Sequence, residues 1–137
     1  DTLPHKVIAT AKHWVGDGGT TGGIDAGDTV LSQNDLLRIH AAPYIGAIEA
    51  GVGSIMVSFS SVNGVNMHVN EPLIRSVLKG EMGFDGFVMS DWEAYTRLSG
   101  NFTEKVISMV NAGVDCLMVP YQARQIVEIL TTAVQDG

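Results

Sequence analysis

The feature that most constrains the fold is a junction that occurs three times along the chain. A stretch with helical spacing ends on glycine, a short link follows, and an apolar stretch begins; the three junctions start at Gly51, Gly83 and Gly113. Glycine just past a helix end is the expected C-terminal cap, and a link of two or three residues is a normal connection from a helix into a strand. The repetition predicts helices that alternate with strands.

Four apolar stretches are predicted to be the strands of this pattern. They cover residues 7–13, 54–59, 86–90 and 116–119. All four are nearly continuous apolar runs rather than alternating ones, which is typical of strands that are covered on both faces. Such strands are most common in parallel sheets.

A helix is predicted after each strand. Ser32, Asn70 and either Asn101 or Thr103 can cap the first three helices, and Pro43 predicts a kink in the first. Helical spacing of apolar residues predicts the side that faces the core. In the first and last helices these residues are Leu37, Ala41, Ile45 and Ile48, and Ile126, Ile129, Leu130 and Ala133.

The predicted order of elements is βαβαβαβα, which calls for a parallel sheet with right-handed crossovers. Four consecutive βα units are half of a (β/α)8 barrel of the TIM type, which typically needs about 250 residues. An open, doubly wound sheet of four strands is the competing architecture. The half-barrel is favoured because a helix follows every strand without a change of direction and polar residues gather just after every strand.

We therefore expect residues 1–137 to form one partial barrel domain without a second domain. A half-barrel on its own would leave two strand edges unpaired, which is an aggregation hazard. The chain is thus expected to be part of a larger protein or to pair with another copy.

Composition excludes several classes of function. The net charge is −7 and neither Lys nor Arg forms a cluster, which argues against nucleic acids and anionic membranes as partners. No apolar run approaches the roughly 20 residues of a membrane span, and no signal peptide opens the chain. The single cysteine, Cys116, excludes an internal disulfide and is expected to be a small buried apolar residue.

Polar and aromatic side chains follow each predicted strand. The first strand leads to Lys12, His13 and a glycine-rich run, the second to a serine-rich run at 58–61, and the third to Asp91 and Trp92. Catalytic groups of parallel barrels cluster at the carboxyl ends of the strands. A carboxylate beside an aromatic ring suits a sugar substrate. The glycine-rich run lacks the spacing and the lysine of a phosphate-binding P-loop.

Three motifs carry a resemblance to a known family. They are Lys-His-Trp-Val-Gly-Asp-Gly-Gly-Thr at 12–20, Met-Val-Ser-Phe-Ser-Ser at 56–61 followed by Asn-Gly at 63–64, and Gly-Phe-Val-Met-Ser-Asp-Trp at 86–92. In this order and spacing they resemble glycoside hydrolases of family 3, and most closely the β-glucosidase and exo-β-glucan hydrolase branch. The resemblance implies the fifth to eighth βα units of the family's N-terminal barrel, without the earlier strands and without the second, α/β sandwich domain.

The resemblance also implies roles for individual residues. Asp91 corresponds to the catalytic nucleophile of a retaining mechanism, in which a carboxylate attacks the anomeric carbon. Lys12 and His13 correspond to a pair that binds sugar hydroxyls, and Trp92 to an aromatic residue at the same subsite. Arg97 corresponds to an arginine just after the nucleophile, and its charge is expected to keep Asp91 ionised.

Two features separate this chain from parts of the family. Phe59 stands where many members carry a tyrosine whose hydroxyl contacts the nucleophile, so Asp91 is expected to be tuned differently. Asp17 stands in the region where the N-acetylglucosaminidase branch places a second histidine of its acid/base pair, which favours the glucosidase branch. The family's acid/base is a glutamate of the second domain, so the isolated chain is expected to be inactive.

The resemblance implies no cofactor and no metal, and it favours a periplasmic or extracellular location. The expected partners are β-linked glucosides or glucans and the missing barrel half and second domain of the parent protein. Two alternatives remain open. One is an aldolase-type barrel that uses Lys12 as a Schiff-base lysine, and the other is a non-catalytic, carbohydrate-binding or inactive barrel fragment.

Overall fold

A computed structural model describes residues 7–137, which form an α/β fold around a parallel sheet. The main sheet contains β1 (Thr10–Trp14), β3 (Ser54–Val57) and β6 (Phe87–Met89) in the order β1-β3-β6, with both pairings parallel. The register aligns Ile55 with Ala11 on one side and with Val88 on the other. Three of the four predicted strands are therefore present, and the first begins at Thr10.

The fourth predicted strand, 116–119, is largely wrong. Among residues 7–137, a single isolated bridge joins it to the main sheet, between Met89 and Cys116. The chain leaves the ladder after this point because Met118 finds other partners: its N–H donates to Ser90 Oγ at 2.8 Å and its carbonyl accepts from the Glu93 N–H at 2.9 Å. Cys116 is exposed, contrary to the buried position expected from the sequence.

A second, smaller sheet was not predicted. It contains β2 (Asp28–Thr29), β4 (Ser61–Val62) and β5 (Val65–Asn66). The Asp28 carboxylate reinforces it, since Oδ1 accepts hydrogen bonds from Ser61 Oγ at 2.6 Å and from the Gly64 N–H at 2.9 Å. This sheet joins the loop that follows β1 to the loop that follows β3.

In the part of the chain that the structure describes, four helices accompany the sheets. Helix α1 covers 33–49, and α2 (Pro72–Glu81), α3 (Phe102–Ala112) and α4 (Ala123–Asp136) follow. Short 3-10 turns lie at Asp17–Gly19, Thr21–Gly23, Met67–Val69 and Ala94–Arg97. None of the helices within residues 7–137 is long and apolar enough to cross a membrane.

The predicted helix caps are confirmed. Ser32 Oγ accepts a hydrogen bond from the Asp35 N–H, and Asn70 Oδ1 accepts one from the first turn of α2. Asn101 and Glu104 form a reciprocal capping box at the start of α3, so Asn101 rather than the alternative threonine is the cap. Past the helix ends, the three junction glycines have left-handed φ angles of 79°, 67° and 108°.

The predicted apolar face of α1 is partly wrong. Ala41 is buried, but Ile45 is 52% exposed, and Leu36 and Tyr44 lie in the core instead. The middle of the helix, Leu36–Ala41, is π-helical. A π-helical turn contains more residues than an α-helical one, so it rotates the residues that follow it. The irregular part ends just before the position of the predicted proline kink.

The main core lies between the sheet and helices α1, α2 and α3. Trp14, Ile55, Ile74, Leu78 and Met109 are completely buried in it. A smaller apolar cluster beneath α4 contains Val106, Val119 and Ile126. The two faces of β6 differ, because Val88 is completely buried whereas its neighbour Phe87 is 37% exposed. In the described part of the chain, only one face of this strand is well covered.

Candidate active site

The carboxyl ends of β1 and β6 bring together two of the predicted site residues. His13 lies in the last part of β1, and Asp91 lies two residues past the end of β6. His13 Nε2 is 3.8 Å from Asp91 Oδ2, and both side chains are partly exposed. The imidazole therefore faces one oxygen of the carboxylate at an accessible edge of the sheet.

Hydrogen bonds hold both the peptide and the carboxylate of Asp91. The Asp91 N–H donates to His68 Nε2 at 2.9 Å, and the Asp91 carbonyl accepts from Ser90 Oγ at 2.9 Å. Asp91 Oδ1 accepts from the Trp92 N–H at 2.6 Å. Three of the four polar atoms of this residue are thereby fixed, and Oδ2 is the one that faces His13.

A chain of polar side chains extends from His13 away from Asp91. His13 Nδ1 and Asp17 Oδ2 are 3.0 Å apart, and Ser58 Oγ donates weakly to Asp17 Oδ1 at 3.4 Å. The hydroxyls of Ser58 and Ser60 are 2.7 Å apart, and both serines are completely buried. A carboxylate on one imidazole nitrogen favours a proton there and orients the ring. Asp17 can thus direct His13 Nε2 towards Asp91.

Lys12 and Trp92 present exposed side chains near these residues. A cis peptide bond joins Lys12 to His13, and the Lys12 side chain is exposed. Trp92 is 51% exposed and directly follows Asp91. An exposed ammonium and an exposed indole can bind hydroxyls and an apolar sugar face, respectively.

Arg97 is placed differently from the expectation. Its Nη2 donates to the Ala26 carbonyl at 2.8 Å, and its guanidinium lies 5.5 Å from the centre of the Phe59 ring. Within residues 7–137 no ion pair joins Arg97 to Asp91, so the expected ionising effect has no contact to support it. The carbonyl and the aromatic ring hold the guanidinium instead.

Sequence reasoning missed His68. This residue lies in the turn Met67–Val69, is completely buried, and accepts the Asp91 N–H. Burial lowers the pKa of His68 to about 4, so the ring is neutral near pH 7. Because Nε2 accepts a hydrogen bond, the ring proton is assigned to Nδ1, which is buried without a partner in the described residues. A lone histidine in an apolar stretch gives no sequence signal for this pairing.

The buried histidine predicts a pH dependence of stability. The unfolded chain binds a proton on His68 below about pH 6.5, whereas the folded protein does so only below about pH 4. Between these values the unfolded state binds more protons, so the free energy of unfolding falls as the pH falls, by about 3 kcal/mol from this group. Denaturation of wild type and His68→Gln at pH 7 and pH 4 tests this. If the free energy of unfolding falls by the same amount in the two proteins between these pH values, the prediction is contradicted.

One cavity of the described residues lies away from this site. It has a volume of about 420 Å³ and lies between α3 and α4, where Thr103, Ile107, Gln125, Glu128 and Ile129 are among its lining residues. The side chains of Asp91 and His13 are partly exposed. Residues 7–137 contain no group of three or more His, Cys, Asp or Glu side chains placed to hold a metal ion.

Solved structures show close similarity to this fold. The exo-1,3/1,4-β-glucanase of a Pseudoalteromonas species superposes with a TM-score of 0.90 at 45% identity, over 95% of this chain and 16% of the glucanase chain. The β-glucosidase of Listeria innocua, in a complex with glucose, superposes with a TM-score of 0.86 at 28% identity, over 96% of this chain and 19% of that one.

Curated relatives agree with the structural comparison. A β-xylosidase of Formosa agariphila is 40% identical over 122 residues, and a β-glucosidase of Wickerhamomyces anomalus is 34% identical over 149. These alignments cover 84% and 96% of this chain but only 17% of each relative. The model of the glycosyl hydrolase family 3 N terminal domain matches residues 2–137. The chain therefore belongs to glycosyl hydrolase family 3.

Proposed function

We propose that this chain supplies the nucleophile half of the active site of a retaining, exo-acting β-glucoside or β-glucan hydrolase. The observation that carries the proposal is how the two carboxylate oxygens of Asp91, just past the carboxyl end of β6, are contacted. One carboxylate oxygen is tied to the Trp92 N–H, and the other faces His13 across 3.8 Å at an accessible edge. A nucleophile needs one oxygen held in place and the other open to the substrate.

The proposed reaction has two steps. In the first, Asp91 Oδ2 attacks the anomeric carbon, the bond from that carbon to the leaving oxygen breaks, and a general acid protonates the leaving group. In the second, water attacks the anomeric carbon of the glycosyl ester, the same group now accepts a proton from the water, and Asp91 is released as a carboxylate. The two inversions give net retention.

Four further residues are proposed to bind the sugar. His13, whose Nδ1–H is held by Asp17, accepts a hydrogen bond at Nε2 from a hydroxyl of the sugar residue that is cleaved, and Lys12 donates one to such a hydroxyl. Trp92 offers an exposed indole face for stacking. Arg97 is proposed to act at the same subsite through its position over Phe59 rather than by pairing with Asp91.

The acid/base is proposed to come from outside residues 1–137. Retaining glycosidases need a second carboxyl group about 5–5.5 Å from the nucleophile, whereas the group 3.8 Å from Asp91 Oδ2 is the His13 imidazole. We infer that the chain is the second half of a (β/α)8 barrel and that the isolated chain is inactive. The open face of β6 and the small share of each relative that the chain spans support this proposal.

The proposed substrates are β-linked glucosides. One similar structure is named an exo-1,3/1,4-β-glucanase, and Listeria β-glucosidase structures are described in complexes with glucose and with laminaribiose. The β-xylosidase among the relatives makes β-xylosides the comparison to test. A kcat/KM for an aryl β-glucoside that exceeds the value for the matching β-xyloside would support the choice.

Covalent trapping tests the proposed nucleophile. In the protein that carries residues 1–137, 2,4-dinitrophenyl 2-deoxy-2-fluoro-β-glucoside should inactivate the enzyme and leave the fluoroglucosyl group on Asp91, which peptide mass spectrometry locates. The fluorine slows both steps, and the good leaving group restores the first, so the glycosyl ester accumulates. A label on another carboxylate, or no label, would contradict the proposal.

No observation favours the Schiff-base alternative. A lysine that forms Schiff bases is activated by an apolar pocket or a neighbouring cation, whereas the Lys12 side chain is exposed. Failure of borohydride to trap a carbonyl compound on Lys12 is the expected control result. The non-catalytic alternative would gain support if the protein bound glucose but never hydrolysed an aryl β-glucoside.

A further inference from the structure

Behind the proposed nucleophile lies a histidine that has no access to the sugar. His68 is completely buried, and its side chain reaches the backbone of Asp91 rather than its carboxylate. It therefore cannot contact the substrate directly. Its effect on the reaction must pass through the position of Asp91.

The contacts around His68 fix its ring. The His68 N–H donates to Asn66 Oδ1 at 2.9 Å, which holds the backbone of the turn. The Phe59 ring packs edge-to-face against the imidazole, with the ring centres 6.3 Å apart. The Phe59 ring also contacts Arg97, whose guanidinium lies over it. His68 is thus a rigid acceptor aimed at one peptide N–H.

That peptide bond sets the direction of the Asp91 side chain. The other polar atoms of this segment are held locally, since Asp91 Oδ1 accepts from the Trp92 N–H and the Asp91 carbonyl accepts from Ser90 Oγ. Removing the acceptor for the Asp91 N–H would leave a donor unsatisfied at the base of the site and free the peptide plane to rotate. A rotation there moves Oδ2, which lies at the end of the side chain.

We propose that His68 is a positioning residue for the nucleophile, and that its Nε2 holds the Asp91 peptide so that Oδ2 rather than Oδ1 is the attacking oxygen. This inference rests on the proposed function of Asp91. Under this proposal the buried His68 affects the rate of the chemical step but not the affinity for the sugar. The two effects can be separated by measurement, because binding of glucose does not require an attacking oxygen in line with the anomeric carbon.

The test compares two substitutions in the protein that carries residues 1–137. His68→Gln keeps an acceptor near the position of Nε2, whereas His68→Leu fills the site without one. The first-order rate constant of inactivation by the 2-fluoroglucoside should fall about 10²-fold in H68L, as for an attacking atom displaced by about 1 Å. The inactivation rate constant of H68Q should be at least about tenfold higher than that of H68L. The inhibition constant of glucose should be unchanged within about twofold in both variants.

A control separates positioning from loss of stability. Leu78 is completely buried in α2, a helix that carries none of the proposed site residues, so Leu78→Ala is expected to lower the thermal midpoint without removing a group of the site. It should keep the wild-type inactivation rate constant. Equal losses in H68L and L78A, no recovery in H68Q, or a change in glucose binding alone would each overturn the proposal. If H68L does not fold, His68→Met, whose sulfur is a weak acceptor, takes its place.

The same experiment distinguishes failure of the proposed nucleophile, Asp91, from failure of the proposed positioning role of His68. If the wild-type protein is not labelled at Asp91, the proposed function fails and the role of His68 fails with it. If Asp91 is labelled and H68L reacts as fast as wild type, only the role of His68 is refuted.

Discussion

Asp91→Ala should lower kcat for an aryl β-glucoside by about 10⁴-fold or more, the scale seen when the nucleophile of a covalent mechanism is removed. The sugar contacts proposed for His13 and Lys12 would not replace a bond to the anomeric carbon. Binding should change much less than turnover, so the inhibition constant of glucose should stay within about tenfold of wild type. Steady-state kinetics and inhibition by glucose measure both quantities.

Rescue by azide makes this prediction specific. The shorter side chain of D91A leaves room for azide on the face from which Asp91 attacks, and a dinitrophenyl leaving group departs without an acid. The product should then be the α-glucosyl azide, with inverted configuration, and the rate should rise with azide concentration. Glu93→Gln is the matched control, since Glu93 lies two residues away and should not be needed. A β-azide product, or full activity in D91A, would refute the assignment.

Gly86→Ala should be the most destabilising small substitution in the sheet, at about 3 kcal/mol. A Cβ at Gly86 would overlap the carbonyl oxygen of Gly53 and lie 2.6 Å from Cζ of the buried Phe84. The Phe87 N–H donates to the same Gly53 carbonyl at 3.3 Å, so the overlap falls where β6 approaches the chain just before β3. A backbone oxygen cannot move aside as a flexible side chain does, so the two strands must separate.

Gly46→Ala is the matched control for this substitution. Gly46 lies in the exposed, α-helical part of α1, and a Cβ there meets nothing within 4 Å. Alanine should stabilise the protein by about 0.5–1 kcal/mol, since it removes the entropy cost of glycine in a helix. Denaturation midpoints of G86A, G46A and wild type test the pair. Similar midpoints for all three would show that β6 can shift to accept the methyl group.

Local patterns predicted much of the fold. The junction glycines and the caps at Ser32 and Asn101 follow from nearest neighbours in the chain, and the structure confirms them. The parallel pairing of three strands followed from the alternation of elements. These features depend on backbone geometry within a few residues or on a long repeated pattern.

Most of the wrong or missing predictions concern contacts between residues that are far apart in the chain. The backbone at 116–119 leaves the sheet because the side chain of Ser90 binds Met118, a partner 28 residues away. The rotation of α1 depends on a π-helical turn, which no residue in the sequence predicts. His68 entered the site because the turn after β5 meets the end of β6. Within the site, the sequence led to Asp91 and His13 but not to the atoms that hold them.

The small sheet has a consequence for engineering. Because β2 and β4 pair and Asp28 binds both Ser61 and Gly64, the loops that follow β1 and β3 form one structural unit. Grafting only one of these loops from a relative would break the shared hydrogen bonds and displace Asp17 from His13 or Ser58 from Asp17. Chimeras should therefore exchange residues 15–32 and 58–66 together, so that the small sheet is transferred intact.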